Sequence, residues 1–410
     1  MNLSDTGTAP EIFVPSPEAA RAMAATKHLH FSPAEFAARQ SAACAAMDDA
    51  GLDALVMFRQ ESMYYLTGYD TFGYVFFQCM LLTRDGRLVL VTRAPDLRQA
   101  HFTSVVDDVR VWRDGAGVEP ALLLSDLLAE FGLTGGKVGA EWEAYGLTAR
   151  NGRVVDRALA QSGCHVSDAS LLVSRLRLKK SPAELAYAAR AGELADAAWE
   201  AACARAGAGV SEADVLADMH AVIMRGGGDD PANEFIIGSG PGALMCRYFT
   251  GRRTLGARDQ LTLEWAGAYR HYHAAMMRTL IVGTPSDRQR TLHAAAHDAL
   301  LACEEALQPG VAVGAVFDAH AKTLDAHGLA DHRLNACGYC MGATYGPNWM
   351  DWPMLYAGQP VIAEPGMTFF LHMILFDSDQ GAAATLGHTV QVTETGCARL
   401  SSASLDLVTV

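Results

Sequence analysis

Positive charge is in short supply in this sequence. Its 410 residues include 32 Lys and Arg against 46 Asp and Glu, a formal net charge of −14. A phosphate-binding surface needs a lysine and arginine footprint, so the deficit argues against a nucleic-acid partner. It also disfavours docking on an anionic membrane. Long apolar runs are missing too, and none reaches the roughly 18 residues of a membrane span. The first thirty residues have no basic start followed by an apolar stretch, so they do not read as a secretory signal. The expectation is a cytoplasmic protein with no membrane contact. Cysteine is not arranged in pairs. The nine cysteines run from Cys44 to Cys397, mostly in apolar surroundings, and read as reduced buried thiols. Cys337-Gly-Tyr-Cys340 is a lone CxxC without the second pair that zinc needs or the setting that a redox motif needs.

What is present is apolar residue. Half the chain is hydrophobic and only 19% is charged. That share builds a core and excludes disorder for most of the length. The length itself implies roughly two domains.

Punctuation along the chain divides it. Residues 1–29 read as an extended arm with Pro10, Pro15 and Pro17. Ser32, Pro33 and Glu35 form the opening of a helix that Gly51 closes. Leu55 to Phe58 follows as a strand, and Tyr65-Leu66-Thr67-Gly68 reads as a strand end. Arg84-Asp85-Gly86 between two apolar runs is a hairpin turn. Helical patterns near 119–131 and 146–162 alternate with strands near Val138 and Val166. Residues 30–172 are therefore an α/β domain. Ser181 and Glu184 make a second capping box, opening a long alanine-rich helix at the head of residues 173–410. Beyond Gly226-Gly227-Gly228 the pattern turns to period two, with strands at Leu261 to Ala266, Ala274 to Val282 and Thr368 to Phe376. Helices near 286–307 and 314–327 separate them. The second domain is α+β, with helices against one face of a curved, mostly antiparallel sheet.

Three segments of that half resemble the creatinase / aminopeptidase P / methionine aminopeptidase family. They are Leu263-Glu264-Trp265-Ala266-Gly267 through Tyr272-His273-Ala274-Ala275-Met276-Met277-Arg278-Thr279, then Gly338-Tyr339-Cys340-Met341-Gly342, then Glu364-Pro365-Gly366-Met367 through His372. The resemblance implies a pita-bread catalytic domain behind a smaller creatinase-type N-terminal domain. Peptidases of that family hold two metal ions with Asp, Asp, His, Glu and Glu. Carried over, those positions hold Glu264, Ala275, Tyr339, His372, and either Gly387 or His388. An alanine methyl and a glycine hydrogen coordinate nothing, and a neutral tyrosine is a poor ligand. The expectation is no metal and no other cofactor. The replacements resemble the ectoine hydrolase branch of the family.

That resemblance implies a metal-independent hydrolase of a non-peptide C–N bond in a small zwitterionic amidine. A creatinase-like amidinohydrolase, a metal-dependent Xaa-Pro peptidase and a non-catalytic binding relative are the alternatives. Glu264 is the candidate nucleophile or base, or the partner of the amidinium. His372 and His273 are candidate proton carriers, and Tyr339 a donor to the tetrahedral centre. Arg247 suits a substrate carboxylate, because its fork pairs bidentately. Trp265, Tyr272, Tyr345 and Trp349 offer aromatic faces for a cation, and His388 joins the substrate-binding set. A loop with Tyr69, Phe72, Tyr74 and Phe76 fits a homodimer in which the N-terminal domain covers the partner's site. Each residue also has a structural reading: a buried ion pair, a core histidine, simple packing.

Overall fold

A computed structural model describes Thr8, Ala9, Phe13, residues 27–247 and residues 251–410. Most of the proposed arm lies outside the described residues. The chain forms two compact units, Met1–Arg177 and Leu178–Val410.

The first unit contains α1 (Pro33–Asp49), β1 (Ala54–Met57), α2 (Gln60–Thr67), β2 (Cys79–Thr83), β3 (Leu88–Arg93), α3 (Leu97–Thr103), β4 (Asp108–Trp112), α4 (Leu123–Glu130), β5 (Lys137–Ala140), α5 (Ala149–Gln161) and β6 (His165–Asp168). Its strands form one mixed sheet in the order β4-β3-β2-β1-β5-β6. The Arg84-Asp85-Gly86 turn joins β2 to β3 as the sequence predicts. Ser32 caps α1 by accepting from the Glu35 N–H at 3.2 Å, while Glu35 Oε1 pairs with Arg39 Nη2 at 2.7 Å.

Two expectations fail in this unit. Tyr65-Leu66-Thr67-Gly68 ends a helix, not a strand, because α2 is buried all round and carries no one-sided stripe to betray its period. Gly68 closes it in the left-handed region at φ 82°. Tyr69 is not part of an aromatic surface loop. It is fully buried, and its hydroxyl meets Thr92 Oγ1 at 3.0 Å. Phe72, Val75 and Phe76 of that loop are exposed.

The second unit opens with α7 (Pro182–Arg205), after α6 (Leu172–Leu178). The capping box at α7 is complete: Glu184 N–H donates to Ser181 Oγ, and Glu184 Oε2 accepts from Ser181 N–H at 2.9 Å. Then come α8 (Glu212–Arg225), β7 (Ile236–Ser239), β8 (Asp259–Tyr269), β9 (Tyr272–Val282), α9 (Asp287–Ala306), α10 (Gly314–Ala326), β10 (Gly338–Cys340), β11 (Asp351–Met354), β12 (Thr368–Asp377), β13 (Ala382–Thr393), β14 (Gly396–Arg399) and β15 (Val408–Thr409). The nine-stranded sheet runs β11-β10-β12-β13-β9-β8-β7, with β14 on β13 and β15 on β9. Every pairing is antiparallel except β15 with β9.

The register places the site. Successive side chains on a strand face opposite ways. On one side of the sheet Trp265 stacks on Trp199 of α7 at 5.6 Å, and its indole N–H donates to the Ala195 carbonyl. Helices α7 and α9 pack on that side. Glu264 faces the other way.

Close approach of α7 to β8 depends on Gly267. A Cβ there would overlap the Ala191 carbonyl oxygen and stand 2.7 Å from the Ala195 nitrogen, both backbone atoms. Gly267→Ala is expected to destabilise the chain by more than about 3 kcal/mol, since a helix backbone cannot swing aside like a side chain. A fall in the urea midpoint at unchanged m checks it, and a neutral variant would refute the contact.

Candidate functional site

Cross-strand pairing assembles the face that carries Glu264. Glu264 on β8 stands opposite Met277 on β9 and Ile236 on β7. Met277 stands opposite Gly387 on β13, and Gly387 opposite His372 on β12. Two residues before His372, Phe370 pairs with Tyr339 on β10. One row across five strands therefore reads Ile236, Glu264, Met277, Gly387, His372, with Tyr339 beside it. Ala275, two residues before Met277, lies on the same face opposite Ala266. The register also settles which residue of the Gly387-His388 pair is on this face: it is Gly387.

Glu264 is buried, and its carboxyl is pushed up to about 7 by burial, against the opposing pull of Arg247 and Tyr339. Tyr339 Oη donates to Glu264 Oε1 at 3.5 Å and accepts from Trp349 Nε1–H at 2.9 Å. Burial and the Glu264 charge raise the Tyr339 phenol well above its ordinary value, so it stays protonated. His372 lies 5.7 Å from the Tyr339 ring, centroid to centroid. Burial drops its imidazole to about 3, helped by the charge of His320 behind it. Its Nδ1 is buried without a partner among the described residues. Arg247 is exposed, yet its charge reaches Glu264, Tyr339 and His372. The structure thus brings together Glu264, Tyr339, His372, Trp349 and Arg247.

The other candidates are placed differently. His273 is buried with both ring nitrogens engaged. Nε2 accepts from the Ala232 N–H at 2.9 Å, so the proton sits on Nδ1 and is given to Thr344 Oγ1 at 3.1 Å. Burial lowers this ring to about 3, so it is a neutral imidazole near neutral pH, with no second proton to pass on. The same argument removes His372 as a proton carrier and leaves it a neutral hydrogen-bonding group. Trp265 lies on the helix side, as above. Tyr272 gives its hydroxyl to Glu184 Oε1 at 2.6 Å, tying β9 to the head of α7. Tyr345 stacks on His271 at 4.2 Å. His388 is on the helix side, where Nε2 meets Glu304 Oε1 on α9. Phe76 belongs to the first unit, with the Arg93 guanidinium 4.2 Å over its ring.

Two functional neighbours had no motif to announce them. Asn233 Oδ1 accepts the Trp349 backbone N–H at 3.2 Å. His320 of α10 stands behind His372. No local sequence pattern marks either of them.

The donor set does not fit a pair of metal ions. Hard cations bridged by carboxylates need several oxygen ligands. On this face, among the described residues, the strong donors are Glu264 and His372, with Ala275, Tyr339 and Gly387 around them. Among the described residues no group of three His, Cys, Asp or Glu side chains is gathered to hold a metal ion.

Comparison with known proteins follows the same two-part division. Residues 39–179 match the creatinase/prolidase N-terminal domain, and residues 186–394 match metallopeptidase family M24. The chain is 28% identical to the ectoine hydrolase of Halomonas elongata over 390 residues, covering 91% of this chain and 96% of that one. It is 29% identical to an uncharacterized hydrolase/peptidase of Sinorhizobium fredii, covering 93% and 98%. The crystal structure of dipeptidase PepE from Mycobacterium ulcerans superposes with a TM-score of 0.81 at 27% identity, covering 93% and 99%. No helix among the described residues is long and apolar enough to cross a membrane. With its pita-bread catalytic unit behind a creatinase-type N-terminal unit, the chain belongs to metallopeptidase family M24.

Proposed function

We propose that this chain hydrolyses a C–N bond other than a peptide bond in a small zwitterion of the amidine type, and that its own side chains serve where metal ions serve in the family's peptidases. One observation carries the reading. A single buried carboxylate, Glu264, is poised at about 7 on a face whose other family metal positions hold Ala275, Tyr339, His372 and Gly387. The relative named ectoine hydrolase, which spans both units, supports the same choice. The equally extensive likeness to a dipeptidase supports hydrolysis at a C–N bond in general.

An amidinium carbon is electrophilic already, so it needs less Lewis-acid help than a peptide carbonyl. Glu264 as carboxylate takes a proton from water while the water oxygen bonds to that carbon. The C–N bond then breaks, and Glu264 returns the proton to the departing nitrogen. A carboxyl poised near the working pH suits both halves of the exchange. Neutral His372 supplies a hydrogen bond to the tetrahedral centre, while Tyr339 gives its one proton to Glu264 Oε1. Arg247, which has no ion-pair partner among the described residues, pairs with the substrate carboxylate.

Three substrates and a chelator test this. Ectoine, creatine and an Xaa-Pro dipeptide are offered to the purified protein before and after EDTA. Turnover of ectoine or a related cyclic amidine, unchanged by EDTA, is the expected result. Creatine cleavage would make the chain an amidinohydrolase. Xaa-Pro cleavage lost with EDTA and restored by Mn, Zn or Co would return it to the metal peptidases. A melting shift with no turnover would leave a binding protein.

A further inference from the structure

The hydrogen bonds around Glu264 have a fixed direction. An indole N–H can only donate, whereas a tyrosine hydroxyl has one proton to give and lone pairs to receive. Trp349 Nε1–H points at Tyr339 Oη at 2.9 Å, so Tyr339 is the acceptor in that bond. Its single proton is left for Glu264 Oε1, 3.5 Å away. The arrangement cannot invert, because the indole has no lone pair with which to take the proton.

Trp349 is itself held. It is buried, and its backbone N–H is bound by Asn233 Oδ1 at 3.2 Å. The adjoining Ala232 N–H binds His273 Nε2, and His273 Nδ1–H binds Thr344 Oγ1 on the loop that leads to Trp349. His273 thus staples two loops together. The Tyr339 ring is fixed on its other side by Phe370 at 5.4 Å and His372 at 5.7 Å, centroid to centroid. An apolar set, Ile236, Met277 and Phe370, surrounds the pair. A donor aimed in dry surroundings holds its direction without competition from water.

We propose that Trp349 is the positioning residue of this site: its indole N–H fixes Tyr339 as donor to Glu264 Oε1, which leaves Oε2 as the oxygen that exchanges protons with water and substrate. The proposal rests on Glu264 being the acting carboxylate of the hydrolysis described above. Trp349 touches neither substrate nor Glu264 and works through Tyr339. Removing its N–H frees the Tyr339 hydroxyl to rotate, and the loss of one aimed hydrogen bond is expected to slow kcat on the order of tenfold. KM stays unchanged, because binding rests on Arg247.

Trp349→Phe, Tyr339→Phe and the double variant are compared on the amidine substrate. Expected is a lower kcat at constant KM in each, with the double variant no slower than Tyr339→Phe alone. Effects that multiply, or a KM that rises while kcat holds, overturn the proposal. A second readout needs no substrate. The Trp349 indole 15N–1H resonance, assigned by sequential NMR, should move upfield in Tyr339→Phe, where its acceptor is gone. An unmoved resonance overturns the proposal, even if Trp349→Phe fails to fold. Absence of turnover in the unaltered chain overturns the functional reading instead, and the indole shift then decides the Trp349–Tyr339 bond by itself.

Discussion

Glu264→Gln is expected to abolish turnover and also to stabilise the chain above neutral pH. Glutamine keeps the shape and the hydrogen-bond acceptor but cannot take a proton, so kcat should fall about a thousandfold. The stability effect follows from burial. The Glu264 carboxyl moves from 4.5 to about 7 on folding, so the native state holds the proton more tightly than the unfolded chain. A raised carboxyl contributes fully below about 4.5, and its contribution is lost as pH rises through 7. Above that, the ionised group costs about 3 kcal/mol, which glutamine removes. Urea midpoints at pH 5 and pH 8 for both proteins read the difference. The variant should gain at pH 8 and not at pH 5. Glu141 in the first unit, likewise raised to about 7 by burial, leaves a residual slope in both proteins. His273 and His372, held near 3, act on the acid side, where stability falls as pH drops below their ordinary 6.5. In the unaltered chain kcat should rise with pH through about 7, as Glu264 becomes a carboxylate. A Glu264→Gln protein with near-normal turnover would sink the assignment.

Gly387→Glu is the second large effect, and it is a loss with no gain. The change would add a carboxylate to the face of Glu264, where the resemblance to the family's peptidases implies a metal ligand. A Cβ at Gly387 would stand 2.5 Å from the Leu371 carbonyl oxygen and 3.0 Å from the His372 Cα. Both are backbone atoms of β12, so β12 and β13 would have to part at the centre of the sheet. The new carboxylate would also be buried between Met277 and His372, two strands from Glu264 on the same face. We expect unfolding free energy to drop by more than about 4 kcal/mol. Bound divalent metal, read by elemental analysis after dialysis, should not reach one ion per chain. A stable Gly387→Glu protein that loads Mn or Zn would show that only one side chain separates this site from a metal centre. The absence of a Cβ at this position is thus matched by the packing around it.

Much of the architecture was legible because its signals are local. Ser181 and Glu184 announced α7, period-two runs announced β8, β9 and β12, and the motif segments located Glu264, Tyr339 and His372. The α2 helix is not legible because it is buried on every side, polar Gln60, Glu61 and Ser62 included, so no one-sided apolar stripe marks its period. Which aromatic residues reach the site is not legible for a related reason. Side-chain type gives no direction, and neighbours one residue apart on a strand, such as Glu264 and Trp265, face opposite sides of the sheet.

By itself the sequence determined the two-domain order and the period of the main strands. Those are properties of residue type and short-range spacing. Only the tertiary structure decided that Gly387 and not His388 shares the face of Glu264, since one residue of strand register reverses every side chain. It also decided the chemistry of the groups on that face. Burial lifts Glu264 to about 7 and drops His372 to about 3. The direction of the Trp349–Tyr339–Glu264 bonds arises where two strands and a loop meet, from residues up to 85 positions apart in the chain.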